Sequence, residues 1–175
     1  MIFVSCVRLM RKKSMDQELE KEFIAFIQEH QRIIYKVCYL YSRDAGHLND
    51  LYQETVINLW KGFPDFRRDA KPSTWVYRIA LNTSISYFRR FIKRSKILPI
   101  DVASDLPDDD RDVAGEIKEM YVLIDRLGQL ERALVLLYLE EKSYQEIAVI
   151  TGLSVTNVAT KLSRIKEKLK NMSNG

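Results

Sequence analysis

The side chains that most often carry enzymatic chemistry are few and widely separated in this chain. The two histidines are His30 and His47, and the two cysteines are Cys6 and Cys38. They have no matched carboxylate or cysteine array around them, and no glycine-rich phosphate loop occurs in the sequence. A catalytic constellation needs several such groups within reach of one another. The sequence therefore predicts a protein that is not an enzyme and that holds no metal ion or other cofactor.

The charged residues are arranged in blocks of opposite sign. Between Lys61 and Lys96 there are ten Lys or Arg and two acids, whereas between Asp101 and Asp112 there are six Asp and one Arg. A net charge of +4 and a pI near 9.0 favour an acidic partner for the chain as a whole. Such blocks are typical of a basic binding face and an acidic linker, although a merely solvated surface gives the same pattern.

Two short helices joined by a tight turn are indicated near the C-terminus, over residues 143–150 and 154–169. Ser143 opens a Ser-x-x-Glu capping box, which marks the start of a helix. Gly152 permits a turn with positive φ, and Ser154 can cap the helix that follows. This is the helix-turn-helix arrangement, whose second helix enters the major groove of DNA.

The second of these helices has an apolar face and a polar face. Val155, Val158 and Leu162 recur at three- and four-residue spacing and are predicted to be buried. The side chains left for contact with DNA are Thr156, Asn157, Thr160, Lys161 and Arg164. Further cations are expected to extend the positive charge towards the phosphates, namely Lys166, Lys168 and Lys170. The alternative is a plain helical hairpin with a basic surface.

A long helix is predicted from Pro72 to about Lys93, and its two faces differ in chemistry. At 100° per residue, one face is apolar and is expected to be core: Val76, Tyr77, Ala80, Leu81, Tyr87, Phe88 and Phe91. The other face is a stripe formed by Trp75, Arg78, Asn82, Ser86, Arg89 and Lys93. Cations neutralise phosphates, a ring can stack on a base and an amide can bond a base edge, so the stripe suits single-stranded or opening DNA. The alternative is a Trp edge buried beside a solvated Arg stripe.

The helix before it, predicted over residues 49–61 with Asn49 or Asp50 as its cap, has an unusual outer face. Its inner face is formed by Leu51, Tyr52, Thr55, Val56 and Leu59. Its outer face combines apolar side chains with acidic and amide groups: Asp50, Gln53, Glu54, Ile57 and Trp60. Such a mixture favours a protein partner, and a second domain packed on this face is the alternative.

Helical periodicity and its interruptions divide the chain into two parts. Six Gly and four Pro supply few tight turns, which favours an all-α fold over an all-β one. A first amphipathic helix is predicted to reach Tyr41 and to be broken by Gly46. We predict two small helical domains, residues 15–96 and 115–171, joined by a flexible acidic linker at residues 97–114. The second domain contains the helix-turn-helix.

The N-terminal segment does not have the order of a signal peptide. Residues 1–7 are mostly apolar and their basic neighbours follow them, whereas a signal peptide places its charges first. No apolar run reaches the roughly 18 residues that a membrane span requires. We interpret residues 1–14 as disordered or as a mis-assigned start, with Met10 or Met15 as the true first residue. We expect a cytoplasmic protein with no membrane insertion.

Four motifs in register resemble the extracytoplasmic-function sigma factors, the smallest members of the main bacterial sigma family. They are Asp50-Leu51-Tyr52-Gln53-Glu54 with Trp60, Ser73-Thr74-Trp75-Val76-Tyr77-Arg78-Ile79-Ala80-Leu81-Asn82, Leu130-Glu131-Arg132, and Ser143-Tyr144-Gln145-Glu146-Ile147-Ala148 with the helix after it. The resemblance covers the chain from about Glu18 to Lys170. It implies two helical domains that bind core RNA polymerase and direct it to promoter DNA.

The resemblance also implies roles for individual residues of the first domain. Asp50, Gln53 and Glu54 match the family's polymerase-binding helix, and with the rest of the outer face the polymerase-binding candidates are Asp50, Gln53, Glu54, Ile57 and Trp60. The loop from Arg67 to Pro72 matches the loop that captures a flipped −10 base, and Asn82 matches a base-contacting position. The −10 candidates are Arg67, Arg68, Lys71, Trp75, Arg78, Asn82, Arg89 and Lys93.

In the second domain the resemblance implies recognition of the −35 element. Ala159, Thr160, Ser163 and Arg164 match the family's usual contact points. The −35 candidates are therefore Ser154, Thr156, Asn157, Thr160, Lys161, Ser163 and Arg164. Many relatives carry a basic residue at the position of Ala159 and a His or aromatic residue at that of Ser163, so their promoter preference does not transfer.

Two questions remain open at the level of sequence. An anti-sigma factor is a common partner in the family, but no residue here identifies one. The other class of function is a stand-alone helix-turn-helix regulator, whose first domain would be a ligand or dimer module. That interpretation leaves the outer Trp60 and the stripe that begins at Trp75 unexplained.

Overall fold

The described part of the chain is entirely helical and falls into two units. The structure, a computed structural model, describes residues 17–42, 44–66, 71–95 and 122–173, with side chains up to residue 90 in the third range. One compact unit lies within residues 1–94 and the other within residues 95–175. Every regular element in the described ranges is a helix, which confirms the all-α prediction. The predicted N-terminal segment 1–14 and linker 97–114 lie outside these ranges.

The described residues of unit 1 form three long helices and one short turn of 3₁₀ helix. They are α1 (Gln17–Tyr41), α2 (Ala45–Gly62), the 3₁₀ turn Phe63–Asp65, and α3 (Pro72–Ser95). Apolar side chains at helical spacing on each long helix meet in one core, and those with almost no exposed surface include Phe23, Ile27, Ile34, Leu51, Leu59, Val76 and Tyr77. The three-helix core holds the outer faces of α2 and α3 in fixed positions.

The N-terminus of α2 differs from the prediction made from sequence. The helix begins at Ala45, and its cap is Asp44 rather than Asn49 or Asp50. The Asp44 carboxylate accepts a hydrogen bond of 2.8 Å from the backbone N–H of His47, and this bond is the main reason that the pKa of Asp44 lies below its usual value. Gly46 therefore sits inside the first turn of α2. It does not end α1, which stops at Tyr41.

In unit 2 the structure describes three helices after a short helical stretch at residues 122–125. The helices are α4 (Gln129–Leu139), α5 (Tyr144–Thr151) and α6 (Val155–Ser173). Its core side chains include Ile124, Leu127, Leu134, Leu137, Ile147, Val158, Leu162 and Ile165. α6 packs against both α4 and α5, which fixes the side of α6 that faces solvent.

A buried arginine ties the start of α4 to the residues before it. Arg132 is 9% exposed, and its guanidinium donates to the carbonyl oxygens of Leu127 and Asp125. It also forms an ion pair with the Asp125 carboxylate at 2.5 Å. A buried cation is stable only when it is paired and hydrogen-bonded, so these bonds explain how Arg132 can lie in the core.

The described helices also bear on membrane association. None of those in residues 17–42, 44–66, 71–95 and 122–173 is both long and apolar enough to cross a bilayer.

Candidate nucleic-acid interface

The turn between α5 and α6 has the geometry that its local sequence predicts. The Ser143 hydroxyl accepts from the backbone N–H of Glu146 at 3.2 Å, and the Glu146 carboxylate accepts from the N–H of Ser143 at 3.0 Å, which completes the capping box. Gly152 has φ of 74°, and its N–H bonds the carbonyl of Ala148 at 2.9 Å. A helix-turn-helix is therefore confirmed as the local structure.

The N-terminal half of α6 presents polar groups to solvent. Ser154 caps the helix by accepting from the backbone N–H of Asn157 at 3.2 Å. All seven −35 candidates are exposed: Ser154, Thr156, Asn157, Thr160, Lys161, Ser163 and Arg164. The Thr160 hydroxyl donates to the backbone carbonyl of Thr156 at 2.9 Å, which leaves its methyl group and a lone pair for a ligand. These residues form one outward surface, called here the α6 reading surface.

The opposite face of α6 packs against the other helices of unit 2. One residue of this face departs from the prediction. Val158 and Leu162 are buried as predicted, and Ile165 extends this face by one further turn. Val155 was predicted to be buried but is 41% exposed. Val155 is the first residue of α6, and periodicity alone does not show where along the helix the packed face begins.

The cations in the C-terminal half of α6 are engaged within unit 2. The Lys166 ammonium donates to the Tyr138 hydroxyl at 3.0 Å and lies 4.1 Å from the centre of the Tyr138 ring. The Lys168 ammonium forms an ion pair of 2.9 Å with the Glu131 carboxylate. α4 therefore supplies both side chains with partners that the sequence of α6 does not reveal, and their contact with phosphates stays a prediction. Lys170 is exposed.

Glu131 connects two helices of unit 2 through one carboxylate. It accepts a hydrogen bond from the N–H of Gly128 at 2.9 Å, which satisfies a free donor at the start of α4, and it also holds Lys168. Burial by itself raises the pKa of Glu131, but these two bonds outweigh it, so the pKa lies below the usual value.

In unit 1 the described part of the α3 stripe is mostly exposed. Arg78, Asn82, Ser86 and Arg89 all lie on the solvent side, whereas Val76, Tyr77, Ala80 and Leu81 are buried as predicted. The side chain of Lys93 lies outside the described residues. Two cations and an amide therefore share one accessible face along about three turns of helix.

Trp75, the first residue of the stripe, is the exception. Its ring stacks on Phe66 with centroids 4.6 Å apart and meets the edge of Phe26 at 5.8 Å. It also lies so close to Gly62 that a Cβ there would be 3.3 Å from the ring. One face of the indole is thus covered, which favours the packed alternative over a ring free to stack on a base.

The loop expected to capture a base falls largely outside the described residues. Arg67 and Arg68 belong to it and are not described. Lys71 is exposed, and its backbone carbonyl accepts from the N–H groups of Thr74 and Trp75 at 2.9 and 3.3 Å. The Phe66–Trp75 stack therefore brings together the residue that precedes the segment 67–70 and the first turn of α3.

The outer face of α2 is only partly free. Asp50 is exposed, whereas Gln53, Glu54, Ile57 and Trp60 are half-buried. The Trp60 ring packs edge-on against Phe23 of α1 at 4.8 Å, and the Glu54 carboxylate forms an ion pair with Arg90 of α3. Sequence periodicity places these side chains outward but does not reveal the neighbours that α1 and α3 bring to them.

The buried polar groups of unit 1 have packing roles. The Cys38 sulfur lies 3.6 Å from the Thr55 hydroxyl, and burial raises the pKa of the Cys38 thiol to about 12. Such a thiol stays protonated near pH 7 and is a poor nucleophile. The Asn58 amide donates to the Thr83 hydroxyl at 3.0 Å and so links α2 to α3.

Comparison with known proteins gives matches in both units. The sequence model of sigma-70 region 2 matches residues 26–94, and that of sigma-70 region 4 matches residues 117–169. The chain is 28% identical to the ECF RNA polymerase sigma-E factor of Escherichia coli (strain K12), covering 87% of this chain and 86% of that one. It is 26% identical to the RNA polymerase sigma factor NccH of Alcaligenes xylosoxydans xylosoxydans, covering 84% of each.

The fold has solved counterparts as well. A complex of the sigma factor RpoE with the anti-sigma factor NepR from Bartonella quintana contains a chain that is similar at a TM-score of 0.67 and 16% identity, covering 91% of this chain and 98% of that one. The two region models occur in the same order as the two units and together span more than half of the chain. The chain therefore belongs to the sigma-70 family and, within it, to the extracytoplasmic-function sigma factors.

Proposed function

We propose a division of labour in which unit 1 holds polymerase and the −10 element while unit 2 reads the −35 element. As a sigma factor, the chain directs promoter-specific transcription by RNA polymerase. The observation that carries the finer proposal is that each unit exposes cations together with amide or hydroxyl groups along a helix face, the stripe on α3 and the α6 reading surface. We extend the proposal to domain boundaries at residues 15–96 and 115–171 with a flexible tether between them.

The α6 reading surface suits duplex DNA. A helix that projects from a helix-turn-helix fits the major groove with its N-terminal residues against base edges. Lys161 and Arg164 lie one turn apart, and Arg164 can form a bidentate contact with guanine. Asn157 and Thr160 add neutral donors and acceptors, so this surface can discriminate bases as well as bind phosphates.

The α3 stripe suits an opened strand. Arg78 and Arg89 can neutralise phosphates, and the Asn82 amide between them can bond a base edge. Flipping a base out of the duplex costs a few kcal/mol, and such contacts offset that cost. We assign Trp75 a supporting role, because its stack on Phe66 orders the start of α3 next to the proposed capture loop from Arg67 to Pro72.

We assign polymerase binding to the outer face of α2. Asp50 and Glu54 supply negative charge, and Ile57 and the exposed part of Trp60 supply apolar surface. Apolar groups surrounded by charged ones are typical of protein interfaces. Once the chain is held on polymerase, neither unit needs to bind DNA tightly alone, because tethering raises the effective concentration of promoter contacts.

The test uses a matched pair of double variants of the full chain. Gln53→Ala with Glu54→Ala should weaken binding to core polymerase, measured by fluorescence anisotropy of labelled protein, while the thermal unfolding of unit 1 is retained. The control is Gln28→Ala with Glu29→Ala, the same residue pair on the exposed side of α1. Unchanged affinity of the α2 variant, or equal losses in both variants, contradicts the assignment.

We extend the proposal to catalytic activity, cellular location and regulation. The chain has no catalytic activity of its own, and polymerase performs the chemistry. It acts in the cytoplasm, since that is where bacterial polymerase meets promoters. It is held inactive by an anti-sigma factor, as the likeness to the sigma factor complexed with NepR suggests. A stand-alone regulator is disfavoured, because the region 2 match gives unit 1 a sigma-factor counterpart.

A further inference from the structure

One ion pair joins the proposed polymerase-binding helix to the proposed promoter-binding helix. The Arg90 guanidinium of α3 donates to the Glu54 carboxylate of α2 across 36 positions of sequence. Glu54 belongs to the outer face of α2, and Arg90 follows directly after Arg89 of the α3 stripe. Neither residue can be assigned wholly to one surface, since each is the other's partner.

The surroundings of Arg90 are acidic. Its guanidinium carbon lies 5.9 Å from the centre of the Tyr87 ring. Burial, followed by the nearby charges of Asp50 and Glu54, raises the pKa of Tyr87. Arg90 thus lies beside Tyr87 and, through its ion pair, partly neutralises the Glu54 charge that a basic polymerase surface would need.

Both residues of the ion pair are accessible enough to exchange partners. The Arg90 side chain is 54% exposed and that of Glu54 is 33% exposed, so both ends can be reached by another molecule. Ion pairs as exposed as this one contribute little to stability. Another molecule that forms a stronger and less solvent-exposed ion pair with Arg90 or with Glu54 can therefore replace the existing partner without unfolding unit 1.

We infer that Arg90 is a coupling residue, which neutralises Glu54 in the free protein and is released to a promoter phosphate when polymerase binds Glu54. The inference rests on the proposed role of Glu54 in polymerase binding. Polymerase supplies a cation for Glu54, and the freed guanidinium meets DNA beside Arg89. Because coupling is reciprocal, promoter DNA that holds Arg90 also favours the polymerase-bound state of Glu54.

One substitution is expected to strengthen polymerase binding rather than weaken it. Arg90→Gln should strengthen binding of the free chain to core polymerase by about two- to fivefold, because Glu54 no longer has to leave a partner. Fivefold is about 1 kcal/mol and is near the upper value for an exposed pair. The same substitution should weaken binding of the assembled holoenzyme to promoter DNA and lower its salt dependence by roughly one phosphate contact.

Controls separate the coupling from simple charge and from misfolding. Arg32→Gln removes one exposed cation from α1 and should leave polymerase affinity unchanged. Arg90→Lys keeps the cation and should restore most of the wild-type behaviour. In the Glu54→Gln background, Arg90→Gln should have no further effect on polymerase affinity, as a double-mutant cycle requires for a direct pair.

The outcomes distinguish the inference from the proposed function. If Glu54→Gln leaves polymerase affinity unchanged, the assignment of Glu54 to that interface is wrong. If Glu54→Gln weakens polymerase binding but Arg90→Gln leaves it unchanged or weakens it too, the exchange of partners is overturned and the interface assignment stands. Equal strengthening by Arg90→Gln and Arg32→Gln also overturns it, since general charge then explains the effect.

Discussion

The two helices that we propose to face DNA, α3 and α6, differ in how much of each polar stripe is open to solvent. On α6 the N-terminal half is open, and the cations beyond it, Lys166 and Lys168, are engaged by α4. On α3 the stripe is open from Arg78 to Arg89, whereas its first residue, Trp75, is stacked on Phe66, and Arg90 beside the stripe is paired with Glu54. The residues of a polar stripe therefore mark the largest possible extent of a binding surface, because side chains on neighbouring helices contact some of them.

The largest expected effect tests whether the two units are separate cores. Leu162→Ala removes a side chain that is 2% exposed in unit 2 and should lower the free energy of unfolding of that unit by about 2–5 kcal/mol. Leu59→Ala, at a fully buried position of unit 1, should lower only the stability of unit 1 by a similar amount. Differential scanning calorimetry of the full chain should show one transition shifting in each variant. A shift of both transitions in either variant contradicts separate cores.

The next effect divides α6 into a reading half and a structural half. Lys161→Ala and Arg164→Ala should each weaken −35 binding by about 1–3 kcal/mol if they reach base edges. Lys166→Ala and Lys168→Ala should cost DNA binding much less and should instead lower the stability of unit 2 slightly. Competition binding with wild-type and mutated −35 sequences is the measurement. Equal losses for all four variants would show that the whole helix contributes only charge.

A smaller effect compares the two glycines that shape the units. Gly152→Ala places a side chain at φ of 74° and should destabilise unit 2 by about 1–2 kcal/mol, although there is open space around the new Cβ. Gly62 has φ of −90°, so Gly62→Ala meets no backbone strain, and we expect the Trp75 ring, 3.3 Å from the new Cβ, to give by a few tenths of an ångström. Urea unfolding should therefore show the larger loss for Gly152→Ala. The reverse order would mean that the Trp75 contact is rigid.

The smallest effect is a pH dependence confined to unit 2. The pKa of Glu131 is lowered in the folded state, so its contribution to stability is present above the unfolded-state pKa and is lost as pH falls through the folded-state pKa. For a partly exposed carboxylate paired with Lys168 the change should stay below about 1 kcal/mol. Acid unfolding of Glu131→Gln should lack this component. Identical acid unfolding profiles of the wild-type and Glu131→Gln proteins would show that Glu131 does not contribute to the pH dependence of unit 2.

What the sequence predicts well is set by short-range interactions. The capping box at Ser143, the left-handed Gly152 and the cap at Ser154 are each decided within a few residues, so the helix-turn-helix follows from local chemistry. Sequence alone misplaces the start of α2, because glycine disfavours a helix interior whereas the first turn of a helix tolerates it, and Asp44 supplies the cap.

What it predicts poorly depends on contacts between distant segments. Trp60 packs on Phe23 and Trp75 on Phe66, and neither partner can be identified from helical periodicity. The same applies to Arg90, which no motif singled out and whose partner lies on another helix. Most of the described candidates lie on an exposed face as predicted, but the contacts that neighbouring helices make with them required the structure.

The central claim is that α3 and α6 contact different promoter elements on one polymerase. The direct measurement is run-off transcription by reconstituted holoenzyme on templates mutated in either the −10 or the −35 element, using Asn82→Ala and Arg164→Ala. We expect Asn82→Ala to lose discrimination at −10 only and Arg164→Ala to lose it at −35 only. If both variants lose discrimination at the same element, or if wild-type protein starts no transcript at any promoter, the division of labour is wrong.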